Sequence, residues 1–209
     1  MRKKEIGEQR ARNKEVLVMP AWLPLFSQSQ ISLFRSCQRK WPFQYVDKIK
    51  VEQSKWGGLG DQIEKEQITP YLVHGRPLDF TLEHEGQAIS GDIVAAGIHL
   101  LPTPKSNLEL QKKIVFNTEI EEFGYMGYVD LWLPQGGLPD AIGSSRARNS
   151  TPCIADIKTG NPRYWKTSKD LESDIQANMY ARWAFGALPA AEELDLAWIN
   201  FSTKKPYKA

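Results

Sequence analysis

Apolar and polar positions along this chain recur with two periods, and the switches between them predict a mixture of helices and strands. Thr151-Pro-Cys-Ile-Ala-Asp-Ile-Lys-Thr-Gly160 reads as a buried strand, with Ile154, Asp156 and Lys158 on one face and Cys153, Ala155, Ile157 and Thr159 on the other. Gly124 to Pro134 alternates in the same way, placing Tyr128, Asp130 and Trp132 on one face and Val129, Leu131 and Leu133 on the other. The alternating segments Leu108–Phe116 and Thr118–Phe123 are expected to pair with that strand in a meander, and Leu194–Phe201 is a final apolar strand.

The helical period appears elsewhere. Ser27 and Gln30 have the spacing of a capping box, with Phe26 available as a staple, so a helix should start there. It should carry Ile31, Phe34 and Trp41 near one face and break after Trp41 at Pro42. A second helix opens near Trp56, with Trp56, Leu59 and Ile63 as its apolar stripe, and Pro70–Arg76 continues or restarts it. Gly57, Gly58 and Gly60 weaken its first turns, so the space they leave should be needed. Long helical side chains lean toward the preceding turn, so Glu64 should project over Gly60, leaving room for an ion or a strand of DNA. Ala88–Leu101 reads as a further helix. Thr167 and Ser168 can cap another that runs to about Phe185, packing Leu171, Ile175, Met179 and Trp183 on the sheet. Gln176 and Tyr180 form a neighbouring row on that helix.

Composition narrows the class. At 209 residues the chain suits one domain, expected over 26–209 after a polar arm at 1–25. With 27 basic and 25 acidic side chains the net charge is +2, so any nucleic-acid surface must come from local clustering. The two cysteines, Cys37 and Cys153, are too few to staple a chain of this length, and no apolar run approaches the about 20 residues of a membrane span. The charged start, Met1-Arg-Lys-Lys-Glu5, does not read as a signal peptide, so a reducing, cytoplasmic setting with no membrane partner is expected. Residues 135–150, rich in Gly, Ser, Pro and Asn, make a loop too long for an ordinary hairpin, and Arg146 and Arg148 in it are candidates for contact with DNA.

Asp156 and Lys158 sit side by side on an apolar strand, which costs several kcal/mol unless partners or a metal compensate. A structural ion pair near a strand end is the competing reading. If the Asp130 strand is a neighbour in the sheet, Asp130 and Asp156 can hold one divalent cation with Lys158 beside it, and carboxylates suit a hard ion such as Mg2+ or Mn2+.

Gly127-Tyr-Val-Asp130, Asp156-Ile-Lys158-Thr-Gly and Gln176-Ala-Asn-Met-Tyr180 together resemble the motifs of the PD-(D/E)XK nuclease superfamily, in its RecB-like exonuclease branch. Cys37-Gln-Arg-Lys-Trp41 resembles the Cys-Pro-Arg-Lys-Trp element of that branch, with Gln38 in place of Pro. Glu64 stands where the family commonly has the His of Gly-x-x-x-His. Relatives often continue past the position of Ala209 with another helix, so the end of the chain reads as truncated or minimal.

The resemblance implies an α/β restriction-endonuclease-like core, with a mixed central sheet flanked by helices. It implies a Mg2+- or Mn2+-dependent DNA nuclease, an exonuclease in DNA repair, recombination or phage DNA processing. Asp130, Asp156, the Ile157 carbonyl and Glu64 would be the metal ligands, and Lys158 would orient or deprotonate the attacking water. Gln176 and Tyr180 would line the cleft and meet DNA, Tyr180 by stacking on an unpaired base. Arg39 and Lys40 would meet phosphate, although a solvated helix face explains them as well. DNA with single-stranded ends is the implied partner, with a recombinase or helicase as a protein partner. No iron-sulfur cluster is expected, since a cubane cluster needs four thiolates. A catalytically weakened DNA-binding or assembly module of the same fold and a nuclease acting on RNA remain open.

Overall fold

The computed structural model describes residues 24–50, 55–104, 107–117, 123–139 and 151–209. The polar arm up to residue 23, nearly all of Thr118–Phe123 and the two arginines Arg146 and Arg148 lie outside the described residues.

β2 (Glu109–Asn117) and β3 (Gly124–Leu133) pair antiparallel along their whole length, from Glu109 opposite Trp132 to Asn117 opposite Gly124. The other edge of β3 is shared. At one end it pairs in parallel with β1 (Leu25–Phe26), and at the other it pairs antiparallel with β4 (Cys153–Gly160) over Leu131–Leu133 alone. Met126 to Asp130 lie between these two short ladders with no strand partner on that edge among the described residues. β5 (Asp195–Ser202) then runs parallel to β4 throughout. The result is a mixed α/β sheet with helices on both faces, as expected.

Two hydrophobic clusters define the faces. On one, the helix of α3 (Lys55–Gln62), a π-helical segment (Ile63–Ile68) and α4 (Thr69–His74), with α5 (Ser90–Ala95), packs Leu59, Ile63, Ile68, Leu72, Ile93 and Val94 against the sheet. The sheet answers with Leu131, Leu133, Cys153, Ala155, Ile199 and Phe201. On the other face, α7 (Ile175–Ala187) packs Tyr180 and Ala184 against Ile114, Val129, Trp132 and Ile154.

β4 keeps the expected alternation, but β2 and β3 do not. Val129 joins Trp132 in the α7 cluster, whereas Leu131 and Leu133 join the opposite one. On β2, Leu110 packs with one cluster, yet Ile114 and Phe116, an even number of residues away, pack with the other. Both strands therefore exchange faces at the same row, Gln111 and Asp130. Gln111 has φ +48, a left-handed backbone that turns the pleat over.

The helix boundaries also differ from the expected ones. The Ser27–Gln30 capping box is present and opens α1 (Gln28–Ser36), but the helix stops at an extended Cys37. Pro42 sits in the first turn of a separate α2 (Lys40–Tyr45), where its missing N–H leaves no bond unmade. The expected Ala88–Leu101 helix shortens to α5 and a 3-10 turn at Ile98–Leu100. Between them Gly97 lies against β5, where a Cβ would sit 2.6 Å from Phe201 Cε1. The expected 167–185 helix divides into α6 (Ser168–Glu172) and α7, because Asp174 caps α7 by accepting from Ala177 N at 3.0 Å. Gly60 leaves no opening for an ion or DNA, since β4 fills the space: a Cβ there would lie 2.8 Å from Thr159 Oγ1.

Candidate active site

The sheet register brings the two predicted aspartates together. Asp130 stands opposite Gln111 on β2, between the pairs Leu110–Leu131 and Lys112–Val129. On its other side the β3–β4 ladder ends at Leu131 opposite Ala155, so the next row would set Asp130 against Asp156. There the strands part. In place of a β3 carbonyl, the Asp130 side chain takes the β4 hydrogen bond, with Oδ2 accepting from Ile157 N at 2.8 Å.

Asp156 is almost fully enclosed, at 1% exposure. Its Oδ1 accepts from Gln176 Nε2 at 2.9 Å, and the Tyr180 hydroxyl lies 3.1 Å from the same oxygen. Gln176 Nε2 also donates to that hydroxyl at 2.7 Å, which in turn reaches Tyr128 O at 2.7 Å, across the unpaired edge of β3. Asp156 Oδ2 faces the Lys158 ammonium in an ion pair, but it is buried without any aligned hydrogen bond. Lys158 keeps 44% of its side chain exposed, at the mouth of the gap.

Glu64 reaches the same place from the opposite helix layer. It stands second in the π-helical segment, and its Oε1 accepts from Gln111 Nε2, which also donates to Asp130 Oδ1 at 3.1 Å. Nothing in the alternating pattern marked Gln111 as special. Its signal is the backbone conformation, which a sequence does not display.

The carboxylates are held at an electrostatic cost. Burial and then the neighbouring Asp156 charge push Asp130 up to about 7. Glu64 is also raised, by burial first and then by Asp61. Tyr180 stays a protonated donor, because burial and then Asp156 raise its phenol far above the usual range. These oxygen donors fit a hard divalent cation. Asp156 Oδ2 is a buried carboxylate oxygen with an ion pair to Lys158 but no aligned hydrogen bond, and burial beside Asp156 disfavours charge on Asp130 even with that ammonium near. Among the described residues no three acidic, His or Cys side chains already close into a cage. Glu64 is tied to Asp130 through the Gln111 amide.

The chain matches no family model and none of the curated proteins. One solved structure that it resembles is that of a presumptive exonuclease from Eubacterium rectale, with 12% identity, a TM-score of 0.57, and coverage of 93% of this chain and 74% of that one. The two chains share a fold.

The remaining expected site residues fall into four groups. Ile157 was expected to offer its carbonyl, and what the structure places at the site is its N–H, which holds Asp130. Tyr180 is buried at 3% exposure with its ring beside Trp198, so the expected stacking on an unpaired base has no open face, and only its hydroxyl serves the site. Arg39 and Lys40 are exposed at the start of α2, and no described contact joins them to the carboxylates. Arg146 and Arg148 lie outside the described residues. Cys37 is exposed, while Cys153 is buried in the core with its thiol pushed up to about 12 by burial and then Asp195. No described helix is long and apolar enough to cross a membrane.

Proposed function

We propose that this protein is a metal-dependent DNA nuclease of the PD-(D/E)XK type, acting as an exonuclease on DNA with single-stranded ends. The supporting observation is the junction where β3 and β4 part. It brings together Asp130, held by the β4 backbone and by Gln111 of β2, Asp156, held by Gln176 and Tyr180 of α7, and the solvent-reaching Lys158.

Asp130 and Asp156 would hold Mg2+ or Mn2+, with Glu64 and the Ile157 carbonyl as further oxygen donors. When bound, such a cation supplies Lewis acidity and neutralises charge that builds on a phosphoryl oxygen and its leaving group. The chain supplies position and proton control. The Ile157 N–H and the Gln111 amide fix both oxygens of Asp130, and Gln176 with Tyr180 fixes Oδ1 of Asp156, leaving Oδ2 turned toward Lys158. The Lys158 ammonium, held in its ion pair with Asp156, would orient an attacking water as a hydrogen-bond donor. With no base-reading element apparent in the sequence, the contacts fall on phosphate and sugar.

Cleavage of 5′- and 3′-labelled single- and double-stranded DNA, and of RNA, with Mg2+ or with EDTA tests this reading. The expected result is Mg2+-dependent release of nucleotides from DNA, abolished in Asp130→Ala and Asp156→Ala while circular dichroism stays native. Equal cleavage in EDTA, or cleavage of RNA alone, would refute it.

A further inference from the structure

Gln111 behaves unlike the rest of β2. Its φ of +48 lies in the left-handed region, which is costly for any residue carrying a side chain and rare inside a strand. The pairs on either side of it remain in register, Leu110 with Leu131 and Lys112 with Val129, so the strain does not come from an inserted residue. The strained backbone delivers the carboxamide. Although Gln111 is exposed, its nitrogen donates to Glu64 Oε1 and to Asp130 Oδ1. The NH2 group faces both carboxyl oxygens, and its two protons match the two bonds.

These contacts join three elements that are separate in sequence: the π-helical segment, β2 and β3. Among the described residues Glu64 has no other hydrogen-bond partner that would aim its carboxylate across the cleft, whereas Asp130 is already tied to β4 through Ile157 N. The amide occupies one oxygen of Glu64 and only one lone-pair direction of Asp130 Oδ1. Glu64 Oε2 and the remaining direction of Asp130 Oδ1 stay available to a cation.

We propose that Gln111 is a positioning residue of the metal centre, a clamp that sets Glu64 from the helix layer against Asp130 in the sheet. The inference rests on the metal-centre reading given above. Groups that hydrogen-bond to ligating carboxylates set the ligand geometry, and removing them typically costs 10- to 100-fold in metal affinity. A left-handed backbone at the same residue fits that role, since strain of this kind persists only where the surroundings demand one side-chain direction.

The experiment uses the full chain, stripped of metal and titrated with Mn2+ by calorimetry and by the electron paramagnetic resonance of free Mn2+, alongside the melting temperature. Gln111→Met keeps the length of the side chain and removes both donors. Gln111→Gly removes the side chain and relieves the left-handed strain, so this variant folds at least as well as the parent. Both variants should bind Mn2+ about 10- to 100-fold more weakly, and the Gly variant should do so with an unchanged or higher melting temperature. Wild-type affinity in both variants would overturn the role of Gln111 alone. So would weakened binding confined to a Met variant with a lowered melting temperature, because that pattern belongs to a strand residue. A wild-type chain that takes up no Mn2+ would overturn the metal centre and the clamp with it.

Discussion

Asp130 carries a charge that the metal-free fold accommodates poorly, and Asp130→Asn should expose the cost. In the unfolded chain this carboxyl titrates near 3.8, whereas in the folded protein it is pushed up to about 7. Between those values the native state holds a proton that the unfolded state has released, so stability must fall as pH rises from about 4 to about 7 and then level off. Three units correspond to roughly 4 kcal/mol at most. Part of that belongs to repulsion shared with Asp156, so about 2 kcal/mol is the expected size. For a chain of this length that is roughly 4–8 °C in melting temperature. The Asn carbonyl can still accept from Ile157 N, but its amide must turn a donor toward Gln111, which subtracts about 1 kcal/mol at every pH. The diagnostic is therefore the slope. Scanning fluorimetry in EDTA from pH 4.5 to 8.5 should show the parent losing more stability with rising pH than Asp130→Asn, in which Glu64 is left as a raised carboxyl, so that the variant gains on the parent toward pH 8. Parallel profiles for the two proteins would refute the electrostatic account of the site.

Other consequences can be checked more simply. Tyr180→Phe keeps the ring packed beside Trp198 but removes the one hydroxyl proton shared between Tyr128 O and Asp156 Oδ1, so urea melts should show a loss of about 1–3 kcal/mol; unchanged stability would dismiss the hydroxyl network. Gly60→Ala should destabilise despite its gain of about 1 kcal/mol in helix propensity, because the new methyl meets Thr159 Oγ1 at 2.8 Å, and Thr159→Ala in the same chain should recover the loss. A stabilised Gly60→Ala single variant contradicts the close approach. Lys158→Ala should abolish Mg2+-dependent DNA cleavage, read on the folded fraction because the change also strips buried Asp156 of its ion pair, and full specific activity in that variant would remove Lys158 from the mechanism.

Strand existence and most of the site were legible because they depend on local pattern. Alternation located β3 and β4, the lone acids Asp130 and Asp156 stood out against apolar neighbours, and the spacing of Gln176 and Tyr180 placed them on one row. Alternation could not show that β2 and β3 exchange faces, because that inversion depends on a backbone conformation at Gln111 that no residue type declares. Gly60 signalled that its space is needed, but what takes the space is a tertiary fact: it is Thr159 and not an ion or DNA. Tyr180 was placed in the site but given the wrong exposure. Its row turns toward the sheet together with Met179 and Trp183 of the expected stripe, once Asp174 restarts the helix.

The π-helical segment sets a reading frame. The core positions of that long helix fall at Leu59, Ile63, Ile68 and Leu72, in steps of four, five and four, and the step of five spans the wide turn whose closing bond runs from Thr69 N to Glu64 O. Deleting one residue between Ile63 and Ile68 would return the stretch to ordinary α-helical winding and rotate everything before it by about 100° relative to α4. Leu59 and Ile63 would leave the core together with Glu64's aim at the sheet. One surplus residue thus keeps two halves of a helix in phase with the same core while setting a carboxylate over the active-site row.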